Sequence, residues 1–230
     1  MRTKTLLIAA AALAAGALAS QAQSNVYSAN VVGYVNQTIV PAGQYTLLAN
    51  PLDSGTNNLI GLLDQANTLP NKTQVLLWDP VAQGYVTASK IAGAWNANPS
   101  IPPGTGFFVH APAAQAVSVT NTFVGNVIAP PNGSSNITVS LVTGYQLVGN
   151  QIPFNGNIND YQTSGTNTVN LGGVLPNKSQ ILIWDPVGQG YITASKIAGN
   201  WNSNVALTPG VGYFIKANGP TNWSETLQIQ

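Results

Sequence analysis

Residues 76–96 read LLWDPVAQGYVTASKIAGAWN, and residues 182–202 read LIWDPVGQGYITASKIAGNWN. The phrase describes a β-hairpin, written twice. Asp79 followed by Pro80 places Asp at the first position of a type I turn and Pro, with its fixed φ, at the second. Gly84 is expected to take a positive φ before the return strand YVTASKI. The run Gln74–Trp78 is apolar on both faces, the pattern of a central strand covered on two sides. Asp79 and its counterpart Asp185 are accordingly assigned to the turns.

The repeat extends beyond the hairpin. Residues 69–111 and 175–217 align without a gap, with 28 of 43 positions identical. Upstream, YTLLANPL from Tyr45 matches YQLVGNQI from Tyr145 at an offset of 100, so the second copy holds six extra residues within 154–170. VVGYV from Val31 loosely matches FVGNV from Phe123. These offsets predict a signal peptide over 1–22, a β module over 23–119 and a second over 120–230, each large enough for one modest core. APPNGSSN, from Ala129, falls inside the second module as a loop. Short Val/Ile/Leu/Tyr/Thr runs alternate with Gly/Pro/Asn clusters, and only NNLIGLLDQA, from Asn57, suits a short helix. The expected fold is all-β: two tandem, homologous small sandwiches or barrels. Like-for-like exchange at Phe107/Tyr213 and Val109/Ile215 predicts burial, while His110/Lys216 predicts partial solvation.

The N-terminus carries Arg2 and Lys4, an apolar run from Leu6 to Ala19 and a small-x-small site at Ser20–Ala22, with Ala17–Ala19 as a second candidate. This is the layout of a secretory signal peptide, and the run is short for a membrane span; a retained anchor helix is the alternative. No further apolar run of spanning length follows. After cleavage the chain keeps five lysines (72, 90, 178, 196 and 216), no arginine and six acids (Asp53, Asp64, Asp79, Asp160, Asp185 and Glu225), a net charge near −1. No basic cluster exists to neutralise phosphates or an anionic membrane, which excludes nucleic-acid binding. Cysteine is absent, so there is no disulfide framework and no lipid attachment at Cys. Charged residues are 6% of the chain, and 26 Asn supply much of the polarity, a turn-rich composition.

The order N-P-L…W-D-P…G-Y…W…P-G-x-G-(F/Y)-F-(V/I) resembles a module of uncharacterised secreted β-repeat proteins of environmental bacteria. It also resembles the wider GWNLIS…L-x-PG-x-GYW(V/I) module of large bacterial surface proteins. The matching residues are Asn50, Trp78, Asp79, Gly84, Tyr85, Trp95, Pro103, Gly104, Gly106 and Phe107, then Asn150, Trp184, Asp185, Gly190, Tyr191, Trp201, Pro209, Gly210, Gly212 and Tyr213. The resemblance implies a small extracellular β module that often accompanies other domains, and it implies no activity. This chain is expected to stand without an attached catalytic or anchoring domain. NWSETLQIQ carries no sorting signal, so release or non-covalent retention is expected.

Candidate chemistry is sparse. His110 is the sole histidine and its repeat partner is Lys216, so a Ser-His-Asp triad has at most one place. Ser89–Lys90 and Ser195–Lys196 have the composition of Ser–Lys hydrolases, but strand alternation predicts exposed lysines. Asp79 and Asp185 lie in different modules, unlike a glycosidase pair. DSGTNN (Asp53–Asn58) and NGNIND (Asn155–Asp160) offer oxygens for calcium, each with one carboxylate where tight sites use several. No catalytic, cofactor or metal residue is assigned. The lead is aromatic. Trp95 with Asn96 and Asn98, and Trp201 with Asn202 and Asn204, place an indole among amides, as a sugar-stacking platform requires; the alternative is that both indoles plug the cores. The expectation is a secreted, non-enzymatic, structural or adhesive β-repeat protein of the surface or matrix, with polysaccharide or surface proteins as partners. A pair of carbohydrate-binding modules is the runner-up, and a hydrolase with an unrecognised site comes third.

Overall fold

The computed structural model describes residues 32–128, 136–160 and 168–227. The expected signal peptide and the stretch 129–135 lie outside the described residues. The fold is all-β, with antiparallel pairing throughout. In the first half, β1 (Val32–Ile39) is followed by β2 (Tyr45–Ala49), a five-residue helix α1 (Leu59–Leu63), β3 (Gln74–Asp79) and β4 (Gly84–Ile91). Then come β5 (Ala94–Trp95), β6 (Gly106–His110) and β7 (Val119–Asn126). The second half runs through β8 (Asn136–Leu141), β9 (Gly144–Val148), β10 (Gly156–Asn157), β11 (Thr168–Val169), the single-turn α2 (Leu171–Val174) and β12 (Gln180–Asp185). It closes with β13 (Gly190–Ile197), β14 (Asn200–Trp201), β15 (Ala206–Leu207), β16 (Tyr213–Ala217) and β17 (Thr221–Thr226).

Each half holds a five-stranded sheet with the same order, β2-β6-β3-β4-β5 and β9-β16-β12-β13-β14. The doubly apolar strand β3 sits between β6 and β4, as its composition requires. A second, smaller sheet covers one face: β1 with β7 in the first half, and β8, β17 and β11 in the second. Between the layers lie Val75, Phe107, Val109, Ile39 and Phe123 in one half, and Ile181, Tyr213, Ile215 and Trp223 in the other. The boundary expected at 119/120 falls inside β7. That strand pairs with β1 over its whole length, Val35 opposite Phe123 and Gly33 opposite Gly125, so VGYV from Val32 and FVGN from Phe123 are strand partners within one sheet. Two of the added elements of the second half are short strands: β10, paired with β15, and β11, which widens the covering sheet.

The hairpin closes with Asp79 opposite Gly84. The Asp79 carboxylate accepts from the Val81 and Ala82 amides at 2.8 and 3.0 Å. The positive φ falls on Gln83 and Gln189, both at 50°, and not on the glycine that follows. The loop holds four residues, so its left-handed corner lands on the last of them. The Gln83 side chain fixes that corner by donating to the Pro80 carbonyl at 2.6 Å.

The same glutamines explain why the phrase is repeated so strictly. Gln83 and Trp78 both donate to the Tyr145 carbonyl, at 3.1 and 2.8 Å. Gln189 and Trp184 donate to the Tyr45 carbonyl at the same two distances. The two five-stranded sheets therefore meet across a seam by reciprocal contacts, as in an isologous dimer. Leu47, Phe108, Leu147 and Phe214 are buried in that seam. The outer edge of each sheet is closed by the other half: Leu48 bridges to Val211 and Val148 to Thr105. Ala49 donates to the Gly210 carbonyl and Gly149 to the Gly104 carbonyl, both at 2.9 Å. The Pro-Gly-x-Gly turns thus do their structural work in the opposite half. A side chain at Gly212 would stand 2.5 Å from the Leu48 carbonyl oxygen. The described residues of both halves form one compact unit. Among the described residues, no helix is long and apolar enough to cross a membrane.

Candidate functional site: paired aromatic clefts

Only part of the seam is closed. On β4 and β13 the face beyond the buried cluster is open, and Tyr85 and Tyr191 are each 42% exposed there. Partial burial of these rings raises the pKa of both phenols. On either side of this pair lies a cleft. The first, of about 350 Å³, is lined by Tyr45, Leu76, Tyr85, Phe108, Trp184 and Tyr191. The second, of about 250 Å³, is lined by Trp78, Tyr85, Tyr145, Leu182, Tyr191 and Phe214. Each residue of one lining has its repeat counterpart in the other. Each cleft takes its tryptophan from the opposite half, so neither half contains a complete site.

The strands set this geometry. Leu76 pairs with Phe108 across β3 and β6, and Phe108 with Leu47 across β6 and β2, which puts all three in one row on the seam face. Trp78 and Tyr85 are directly opposed, with ring centroids 5.0 Å apart at 78°, and Trp184 and Tyr191 repeat this at 5.0 Å and 74°. Edge-to-face contact is the favoured arrangement of such rings. The nearest titratable groups differ between the clefts. His110 lies over Tyr45 at 4.4 Å, and the Lys216 ammonium stands 5.3 Å from the Tyr145 ring.

The residues singled out as glycan contacts are elsewhere. Trp95 is half-buried against the first core, and its indole N–H donates to Asp64 at 2.8 Å. Trp201 is half-buried against the second core and donates to the Gly172 carbonyl at 2.9 Å. The neighbouring amide oxygens accept from backbone amides: Asn96 from Ser89, Asn98 from Ile60, Asn202 from Ser195 and Asn204 from Asn159. None of the six lines either aromatic cleft. The signal that could have located the clefts was the identity of Trp78, Gln83 and Tyr85 with their partners, on a strand apolar on both faces.

The lysines expected to be exposed are buried. Lys90 is 2% exposed and bonds Asp64 and the Leu69 carbonyl, each at 2.6 Å; a carboxylate inside the core reverses the alternation argument. Lys196 donates to the Gly172 and Gly173 carbonyls, both at 2.9 Å, and stands 6.0 Å from the Trp201 ring, and burial lowers its pKa. Ser89 and Ser195, being strand neighbours of these lysines, point to the opposite face. In DSGTNN, the Asp53 carboxylate accepts from Asn57 and Gly55, which hold its pKa down, and Asn58 caps α1. In NGNIND, Asp160 accepts from the Asn157 amide at 2.6 Å. The Asp79 carboxyl is held below its ordinary range by the amides of Ala82 and Val81. Comparison of the chain with protein-family models and with curated proteins returns no match, so the site rests on its own geometry.

Proposed function

We propose that this is a secreted, non-enzymatic β-repeat protein with a structural or adhesive role at the cell surface or in extracellular matrix. One observation carries the proposal: the six carboxylates that follow the signal-peptide pattern, and the two buried lysines, are engaged in holding the fold. Lys90 and Asp64 pair inside the first core, Glu225 accepts backbone amides, and Asp53, Asp79 and Asp185 accept amides in turns. The signal-peptide pattern, the very low charge and the resemblance to secreted bacterial modules support export. Surface proteins or polysaccharide are the partners it suggests. The alternative, a carbohydrate-binding pair at Trp95 and Trp201, has less support, because the indole N–H groups and flanking amide oxygens are already bonded within the protein.

Two measurements on the mature chain test this. Antibody labelling of the producing cells, with fractionation of the culture, is expected to place the protein at the surface or in the matrix. A panel of chromogenic glycoside, ester and peptide substrates is expected to show no turnover. A cytoplasmic location, or turnover abolished by one substitution, would overturn the proposal.

A further inference from the structure

We infer that the paired clefts are two equivalent binding sites for small, planar, uncharged aromatic molecules, a property separate from the structural or adhesive role. The clefts occur twice with matching residues, and each is built only when the two halves are joined. Every lining residue is aromatic or leucine, and no charged side chain lines either one. A charged ligand would surrender its hydration without gaining a counter-charge. A sugar is also poorly matched, because its hydroxyls need placed donors and acceptors. Apart from indole N–H groups already bonded to backbone carbonyls, the lining offers them only tyrosine hydroxyls. An aromatic ring needs no such partners. It gains apolar burial and edge-to-face contacts with Trp184, Tyr191 and Phe108 on one side, and with Trp78, Tyr85 and Phe214 on the other. Volumes of about 350 and 250 Å³ lie at or below the small end of the roughly 300–1,000 Å³ of ligand pockets, which suits an occupant of one or two fused rings. The walls stand on hydrogen-bonded strands of the two five-stranded sheets and on bonded indoles, so the sites exist before a ligand arrives.

The test uses the full mature chain with 2-naphthol as probe, 2-naphthoate as its charged analogue and cellotetraose as a neutral sugar. Calorimetric titration is expected to give two saturable sites per chain for 2-naphthol, binding roughly tenfold weaker or undetectable for 2-naphthoate, and no heat with cellotetraose. Filling one cleft by Leu76→Trp, or the other by Leu182→Trp, should leave one site, provided the variant melts like the parent. A second readout needs no variant. In protein labelled with 5-fluorotryptophan, the fluorine signals of Trp78 and Trp184 should move on adding 2-naphthol, while those of Trp95, Trp201 and Trp223 stay fixed. Unmoved Trp78 and Trp184 signals at the solubility limit of the probe would overturn the inference. So would tighter binding of cellotetraose than of 2-naphthol.

Discussion

Glu225 occupies the strand position that Gly125 holds in the first half: Glu225 faces Ile137, and Gly125 faces Gly33. In the first half the missing side chain admits the Asp53 backbone, which exchanges two amide bonds with Asn126 at 2.9 and 2.8 Å. In the second half a carboxylate takes over that task. It accepts from the Gln151 and Ile152 amides at 2.7 and 3.1 Å and from the Trp223 indole at 3.2 Å. Burial outweighs these donors and pushes the Glu225 pKa from 4.5 up to about 7. The Tyr213 phenol is its titratable neighbour, and its own pKa is raised by burial and by the Glu225 charge. A carboxyl raised on folding is easier to keep protonated in the folded chain than in the unfolded one. Its contribution is therefore complete below pH 4.5 and is lost as pH rises through about 7. Thermal melts should show stability falling across that window by an amount on the order of 3 kcal/mol, and Glu225→Gln should flatten the profile. An unchanged slope in the variant would refute this. Nothing in TNWSETLQ betrays the burial of Glu225, since alternation is visible in a sequence and a loop closing over a strand is not.

At the scale of elements, the end of edge strand β2 at Ala49 meets Gly149, the residue that follows edge strand β9, and the two occupy equivalent positions at the offset of 100. A Cβ on Gly149 would overlap the Ala49 Cβ. Only one of the two positions can carry a methyl group, which accounts for one asymmetry of the repeat. Gly149→Ala alone should cost about 1–3 kcal/mol by overpacking. Adding Ala49→Gly should recover most of that loss, because the contact is restored with its halves exchanged. Chemical denaturation of the two single variants and the double variant measures the recovery; additive losses would show that the methyl groups do not meet. The strands and the turns of both hairpins were legible from alternation and from Asp-Pro. The seam was not, although Gln74–Trp78 carried its trace: an apolar second face asks for a cover, and only the folded chain shows that the other half provides it.

For the molecule as a whole, the seam predicts that the two halves unfold together. Trp78 and Trp184 each cross it, with a ring against the opposing phenylalanine at 5.2 and 5.3 Å and a bond to the opposing tyrosine carbonyl. Scanning calorimetry of the parent should give one transition. Replacing both tryptophans by Ala should remove stability at or below the ~3–5 kcal/mol typical of each large-to-small aromatic change, and split or broaden the transition as cooperativity is lost. A single sharp transition at the parental temperature would contradict a coupling role for the seam. The repeat itself was plain in the sequence, but which of its residues served packing within a copy and which served contact between copies required coordinates. The joining of both self-complementary surfaces in one chain has a further effect. Two separate chains paired this way would come apart on dilution, with a midpoint set by how much protein was present. Here residues 127–135 tether the partners, so the pairing depends on tether length and not on abundance. Both clefts therefore stay intact at any concentration of the chain.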